Sequence, residues 1–157
     1  MVPGSNPGPG SILKPLVIKT GITLKYSGRG FLVLSENVTN IVKRIALRRG
    51  YKFKIAKGGN TLQLIHPEAP LTINIVLLNG AAEVRLVYDE KLIRDYLGDV
   101  VEAEEDPRST IEELMDAITM VANEVAQELS RMGLKVKIYV RDAVMDILEM
   151  LEDLEEL

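Results

Sequence analysis

The residues best suited to chemistry in this chain lie in one basic window, residues 37–67, which has no acidic residue between Glu36 and Glu68. A cluster of cations attracts phosphate groups over a Debye length, about 8 to 10 Å at physiological ionic strength. The seven cations of the window are Lys43, Arg44, Arg48, Arg49, Lys52, Lys54 and Lys57. The window predicts a polyanion-binding surface; the alternative is a solvated face balanced by acidic helices.

Aromatic residues accompany the basic window. Single-strand-binding proteins stack bases on exposed rings that lie between cations. Four of the seven aromatic residues lie in or just before the window: Tyr26, Phe31, Tyr51 and Phe53. Tyr51 and Phe53 are therefore candidates for base stacking. Because they alternate with lysines, the alternative is that both rings face the core.

Patterns for hydrolysis are weaker. Pro67-Glu68 followed by Glu83-Val84-Arg85 loosely resembles the PD-(D/E)xK arrangement of metal-dependent nucleases, but the first acid is Glu and the usual lysine is arginine. The single histidine, His66, precedes a proline, and no serine triad can be built around it. Gly28-Arg29-Gly30 and Gly58-Gly59 lack the spacing of phosphate loops. We expect no catalysis and no metal or cofactor, with a nuclease as an alternative.

Charge is divided along the chain. Up to Arg94 there are 14 Lys and Arg against 5 Asp and Glu, and from Asp95 onward 5 against 18. Such asymmetry indicates a polyanion-binding surface in one half and an acidic face in the other. The absence of cysteine excludes disulfides and thiolate metal sites and fits a cytoplasmic location. No apolar stretch approaches the ~20 residues of a membrane-spanning helix, so we expect a soluble protein without a membrane partner.

The elements that position the basic window are those of an α+β fold, an antiparallel sheet of about four to six strands covered by amphipathic helices. A helix capped by Ser35 or Asn37 is predicted to end at Gly50, and Asn79-Gly80 is a hairpin signal. Before the helix, strands are predicted at Leu16–Lys19, Ile22–Tyr26 and Phe31–Leu34; after it, a meander is predicted at residues 51–55, 61–66, 71–78 and 83–88.

The second half is predicted to be mainly helical. Asp89 opens a short helix to Gly98, and Ser109 with Glu112 forms a capping box for an amphipathic helix that ends at Gly133. Residues 134–140 alternate as a strand, and Asp142 caps a final leucine-rich helix. Its heptad spacing predicts either docking on its own domain or pairing between copies in a dimer or tetramer. The predicted divisions are a flexible Pro/Gly arm at 1–11, a binding domain at 12–140 and this C-terminal helix at 141–157.

In this layout, and in the stretch Arg48-Arg49-Gly50-Tyr51-Lys52-Phe53-Lys54, the chain resembles the ThermoDBP-like proteins of hyperthermophilic archaea. The resemblance covers most of residues 16–157. It implies a single-stranded DNA-binding protein with a cleft that has an apolar floor and basic rims, and an oligomer built partly through C-terminal helices. The modest heptad run departs from the long zipper of that family.

The sequence thus predicts a non-catalytic protein that binds single-stranded DNA or RNA. In this prediction Tyr51 or Phe53 stacks on bases. The predicted phosphate contacts are Arg48, Arg49, Lys52, Lys54, Lys57 and Arg85. The alternative is an α+β protein-interaction or chaperone-like dimer that binds no nucleic acid.

Overall fold

The structure is a computed structural model that describes residues 28–156, with side chains from Glu36 onward. Within this part of the chain it confirms the α+β class. The elements in order are α1 (Gly28–Arg48), β1 (Lys52–Ile55), β2 (Thr61–Ile65), β3 (Thr72–Leu78), β4 (Ala81–Val87), α2 (Glu90–Ala103), α3 (Pro107–Arg131), β5 (Lys135–Tyr139) and α4 (Arg141–Glu155).

The described strands form one sheet in the order β1-β2-β3-β4-β5. The first four strands are the predicted antiparallel meander. Its tightest turn is the predicted Asn79-Gly80 loop, where Gly80 has a φ of 75°, a conformation that glycine adopts without steric cost. The fifth strand departs from a purely antiparallel sheet, because β5 pairs in parallel with β4 after the crossover through α2 and α3.

One face of the sheet carries the core. Leu62, Leu64, Ile73, Ile75 and Val84 alternate along β2, β3 and β4 and are completely buried in one cluster with helix residues. Each such side chain contributes about 1.5–3 kcal/mol through removal from water. On the opposite face no described strand residue is buried. The described helices therefore cover one face of the sheet and leave the other open.

The first described helix corrects two predictions. Phe31–Leu34, predicted as a strand, lies within α1, and Gly28–Gly30, predicted as a turn, is part of its first turns. Ser35 and Asn37 are consequently inside the helix rather than at its cap. A run of four apolar residues fits a buried helix as well as a strand, so its period cannot distinguish them. The predicted arm and the strands Leu16–Lys19 and Ile22–Tyr26 lie outside the described residues.

Two other helix starts also differ from prediction. The cap of α3 is Asp106, whose side chain accepts a hydrogen bond from the Ser109 N–H at 3.2 Å, with Pro107 in the first turn. Ser109 therefore lies inside α3. The final helix begins at Arg141, which places Asp142 in its first turn rather than at the cap. The predicted cap of α2 is confirmed, because Asp89 Oδ1 accepts from the Leu92 N–H at 3.0 Å.

The C-terminal helix docks on its own domain. Ile147 and Leu151 are completely buried, and Val144, Leu148 and Leu154 pack against the same core. Much of the predicted heptad stripe thus packs against the core of its own domain, while pairing between copies stays a prediction. None of the described helices is both long and apolar enough to cross a bilayer.

Candidate nucleic-acid interface

The side of the sheet that no described helix covers, which we call the open face, is the candidate site. Residues directly opposite one another in the register of neighbouring strands point to the same side, so the pairing defines its membership. The open face consists of Lys52, Lys54, Thr61, Gln63, Ile65, Thr72, Asn74, Val76, Leu78, Ala81, Glu83, Arg85, Val87, Lys135, Lys137 and Tyr139.

One register row crosses the whole sheet. It runs through Lys54, Gln63, Asn74, Arg85 and Tyr139, one residue from each described strand. With neighbouring strands about 4.8 Å apart, the row is about 19 Å long. In its middle, Gln63 Nε2 donates to Asn74 Oδ1 at 3.2 Å. A polar row with a cation near each end therefore spans the open face.

The open face is strongly basic. Its described residues include the single carboxylate of Glu83. The cations number five and come from three strands: Lys52, Lys54, Arg85, Lys135 and Lys137. Because four of them are lysines at the two sheet edges, the positive potential extends across the full width of the sheet.

Arg85 is the most firmly positioned of these cations. Its Nε and Nη2 donate to Glu83 Oε1 at 3.1 and 2.9 Å. The guanidinium also lies over the Tyr139 ring, 4.2 Å from the ring centroid. A cation held over a ring in this way is attracted by about 0.5–1 kcal/mol at an exposed site. Tyr139 remains 42% exposed, so part of the ring is available to a ligand.

The prediction from sequence contained only part of this site. Lys52, Lys54 and Arg85 were predicted and lie on the open face, whereas Lys135, Lys137 and Tyr139 were not predicted as site residues. The last three alternate along β5, and that alternation was visible in the sequence. The missing information was that β5 pairs beside β4, which depends on the crossover through two helices rather than on local sequence.

Arg48 and Arg49 lie away from the open face, at the end of α1. Both pair with Glu124 of α3: Arg48 Nη2 contacts Oε2, and Arg49 Nε donates to Oε1 at 3.0 Å. The two arginines therefore connect α1 to α3 on the helix-covered side. Lys57, in the turn between β1 and β2, is exposed and unassigned to either face by the register.

For Tyr51 the structure favours the core interpretation. Tyr51 is 7% exposed, and its ring packs edge-on against the His66 ring with the ring centroids 5.3 Å apart. Burial raises the pKa of Tyr51, so its hydroxyl stays protonated at neutral pH. Phe53 lies opposite Leu64 on the covered face and is half-buried against the core. Neither ring lies on the open face, whose described aromatic residue is Tyr139.

The two acids of the nuclease pattern are not brought together. Glu83 lies in β4 opposite Val76, whereas Glu68 lies in the loop before Thr72. Four residues of β3 separate these positions, which is about 14 Å of strand. The Glu83 carboxylate also forms an ion pair with Arg85. Within the described residues no three acidic or imidazole groups form a cluster that could hold a metal ion.

Three of the four described helices, α2, α3 and α4, carry more acids than cations, whereas α1 carries more cations than acids. In α4, six of the 15 residues are acidic. On α2 and at the start of α3, most cations are paired one turn away with carboxylates, as in Lys91–Asp95, Arg94–Glu90 and Arg108–Glu112. The described domain therefore has a basic open face, three acidic helices behind it, and a basic α1 beside them.

Fold and site together define a small α+β protein with an uncovered basic sheet face. Comparisons with protein-family models, with curated proteins and with solved structures find no match. The function is therefore argued from the geometry and charge of the open face.

Proposed function

We propose that this protein binds single-stranded nucleic acid on its open face without catalysing a reaction. The observation that carries the proposal is a sheet face that no described helix covers. It carries five cations against one carboxylate, and Tyr139 is partly exposed on it. Phosphate contacts supply most of the affinity in such binding and do not depend on sequence.

The dimensions and chemistry of the face support a single strand. Its central row is about 19 Å long, which is comparable to the smallest footprints of single-strand-binding domains, about four nucleotides. A base stacked on an aromatic ring contributes about 1–3 kcal/mol. Tyr139 can make this contact only with a base that is not already stacked in a duplex. Gln63 and Asn74, in the middle of the same row, offer further hydrogen bonds to the edges of other bases.

The charge of the acidic helices also favours binding on the open face. The carboxylates of α2, α3 and α4 repel phosphates, so a polyanion is steered away from these three helices and towards the open face and the basic α1. The resemblance of the sequence to ThermoDBP-like proteins favours DNA as the bound nucleic acid. In this proposal Lys52, Lys54, Arg85, Lys135 and Lys137 contact phosphates, and Tyr139 replaces Tyr51 and Phe53 as the stacking ring.

The test is fluorescence anisotropy of a labelled mixed-sequence oligonucleotide with two triple variants of equal charge change. Lys52→Gln/Lys54→Gln/Lys137→Gln removes open-face cations, and Lys91→Gln/Arg94→Gln/Arg108→Gln removes cations of the acidic helices. We expect the first to weaken binding at least tenfold and the second to leave it nearly unchanged. Equal losses in both variants, or absence of binding by the natural chain at low salt, would contradict the proposal.

A protein partner is the second candidate, and the polarity of the domain favours it. The basic open face is complementary to acidic helices, including those of a second copy of the chain. Light scattering across a salt series distinguishes the two candidates. Assembly without nucleic acid that dissociates as salt increases would support self-association, and an unchanged mass at all salt concentrations would exclude it.

A further inference from the structure

A second site lies on the helix-covered side of the sheet, remote from the open face. A cleft of about 240 Å³ opens between Tyr51, which precedes β1, the end of β2 and the middle of α3. Its polar lining consists of Arg49, Tyr51 and His66, and its apolar lining includes Ala117, Met120 and Val121. The cleft is thus polar on the strand side and apolar on the helix side.

The histidine is fixed in one tautomer by the loop that follows it. Nδ1 of His66 accepts hydrogen bonds from the backbone N–H groups of Glu68 at 3.1 Å and Ala69 at 2.9 Å. Because Nδ1 accepts, the proton of the neutral ring must be on Nε2. Burial lowers the pKa of His66, which keeps the ring neutral at pH 7. His66 is therefore a donor through Nε2.

Two of the polar groups of the cleft have no partner in the described chain. Neither the Tyr51 hydroxyl nor Nε2 of His66 makes a hydrogen bond, although Tyr51 is 7% exposed. Buried polar groups are hydrogen-bonded in the large majority of cases, and both the Tyr51 hydroxyl and the half-buried His66 ring can donate to an acceptor in the cleft. Arg49 adds a guanidinium whose Nε and Nη2 are directed to Glu124 and whose Nη1 remains available.

All three polar groups can donate hydrogen bonds, and because Arg48 and Arg49 share the single carboxylate of Glu124, one positive charge beside the cleft is not balanced by that carboxylate. A ligand that satisfies them must present acceptors and a negative charge, while its remainder must be apolar enough to lie against Met120 and Val121. The volume corresponds to about eight water molecules at about 30 Å³ each, which is the size of one ring with a carboxylate. We infer that the cleft binds a small organic acid, with its carboxylate on the strand side and its apolar body against α3.

The single histidine provides a direct measurement. Its imidazole gives one set of NMR signals, because His66 is the only histidine in the chain. We expect benzoate to shift these signals saturably at millimolar concentrations, as befits so small a ligand. Benzamide, which lacks the charge, and inorganic phosphate, which lacks the apolar body, should bind at least several-fold more weakly. Equal binding by either reference compound, or no saturable shift with benzoate, would overturn the inference.

A pair of variants tests the location. Tyr51→Phe keeps the ring that packs on His66 and removes only the hydroxyl, so the fold should be retained and benzoate affinity should fall several-fold. Tyr88→Phe, which removes a hydroxyl outside the cleft, is the matched control and should leave benzoate affinity unchanged. Unaltered affinity in Tyr51→Phe, with its amide spectrum showing a native fold, would refute the site. The measurement uses no oligonucleotide, so its outcome is independent of nucleic-acid binding.

Discussion

The salt dependence of nucleic-acid binding can be worked out from the open face. Lys54 and Lys137 lie on β1 and β5, and Lys54→Gln/Lys137→Gln removes two of the five cations without touching the core. For single strands, the logarithm of the affinity falls with the logarithm of salt by about 0.7 for each phosphate neutralised. If each cation neutralises one phosphate, the natural chain has a slope of about −3.5 and the variant about −2.1.

These slopes predict clearly different losses of affinity. Between about 50 and 200 mM salt, the natural chain should lose affinity about 130-fold, and the double variant only about 20-fold. The two titrations should therefore converge as salt increases. The physical reason is that each lost contact also removes the counterion release that makes binding sensitive to salt.

The assay is fluorescence anisotropy of a short labelled oligonucleotide at four or more salt concentrations. Lys91→Gln/Arg94→Gln, on the acidic helix α2, has the same change in net charge and should keep the slope of the natural chain. An unchanged slope in Lys54→Gln/Lys137→Gln would show that these lysines do not contact phosphates. The same reduction in both variants would show that net charge, rather than the open face, sets the affinity.

Three further predictions concern stability. Ile75→Ala in the completely buried core should lower the free energy of unfolding by about 2–5 kcal/mol, measured by urea denaturation. Asp106→Ala removes the cap of α3 and should lower the free energy of unfolding by about 1 kcal/mol. Ser109→Ala, inside the helix, should lower it by less. Because the folded state holds the pKa of His66 below its unfolded value of about 6.5, stability should fall as pH decreases from about 7.5 to 5.5. His66→Gln should lack this component, and an identical pH profile for both chains would contradict it.

The regular elements were predictable because their apolar patterns repeat over many residues or end at clear turn residues. The apolar face of α3, from Ile111 to Leu129, repeats over about five turns, and Gly133 ends the helix with a φ of 93°. The meander follows from alternation and from the two-residue Asn79-Gly80 turn. By contrast, Phe31–Leu34 is too short to have a period, and the apolar residues of a short run fit either element.

The composition of the site was less predictable, because it depends on contacts between distant parts of the sequence. Glu124 lies 75 residues after Arg49, and no local pattern shows that it pairs with that arginine. Likewise, Tyr139 enters the open face only through the parallel pairing of β5 with β4. Charge in the basic window was readable from the sequence, but the division of that charge between the open face and the α1–α3 contact required the tertiary structure.

The crossover that brings β5 beside β4 also couples ligand binding to folding. Lys135, Lys137 and Tyr139 reach Glu83 and Arg85 only after α2 and α3 have packed, so the complete open face exists only in the native state. A ligand that binds only the native state stabilises it, by about 2.7 kcal/mol at one hundred times its Kd. A bound oligonucleotide would therefore stabilise the contact between the two halves of the chain. Thermal unfolding with and without oligonucleotide would detect binding, without any label, as an increase in the unfolding temperature.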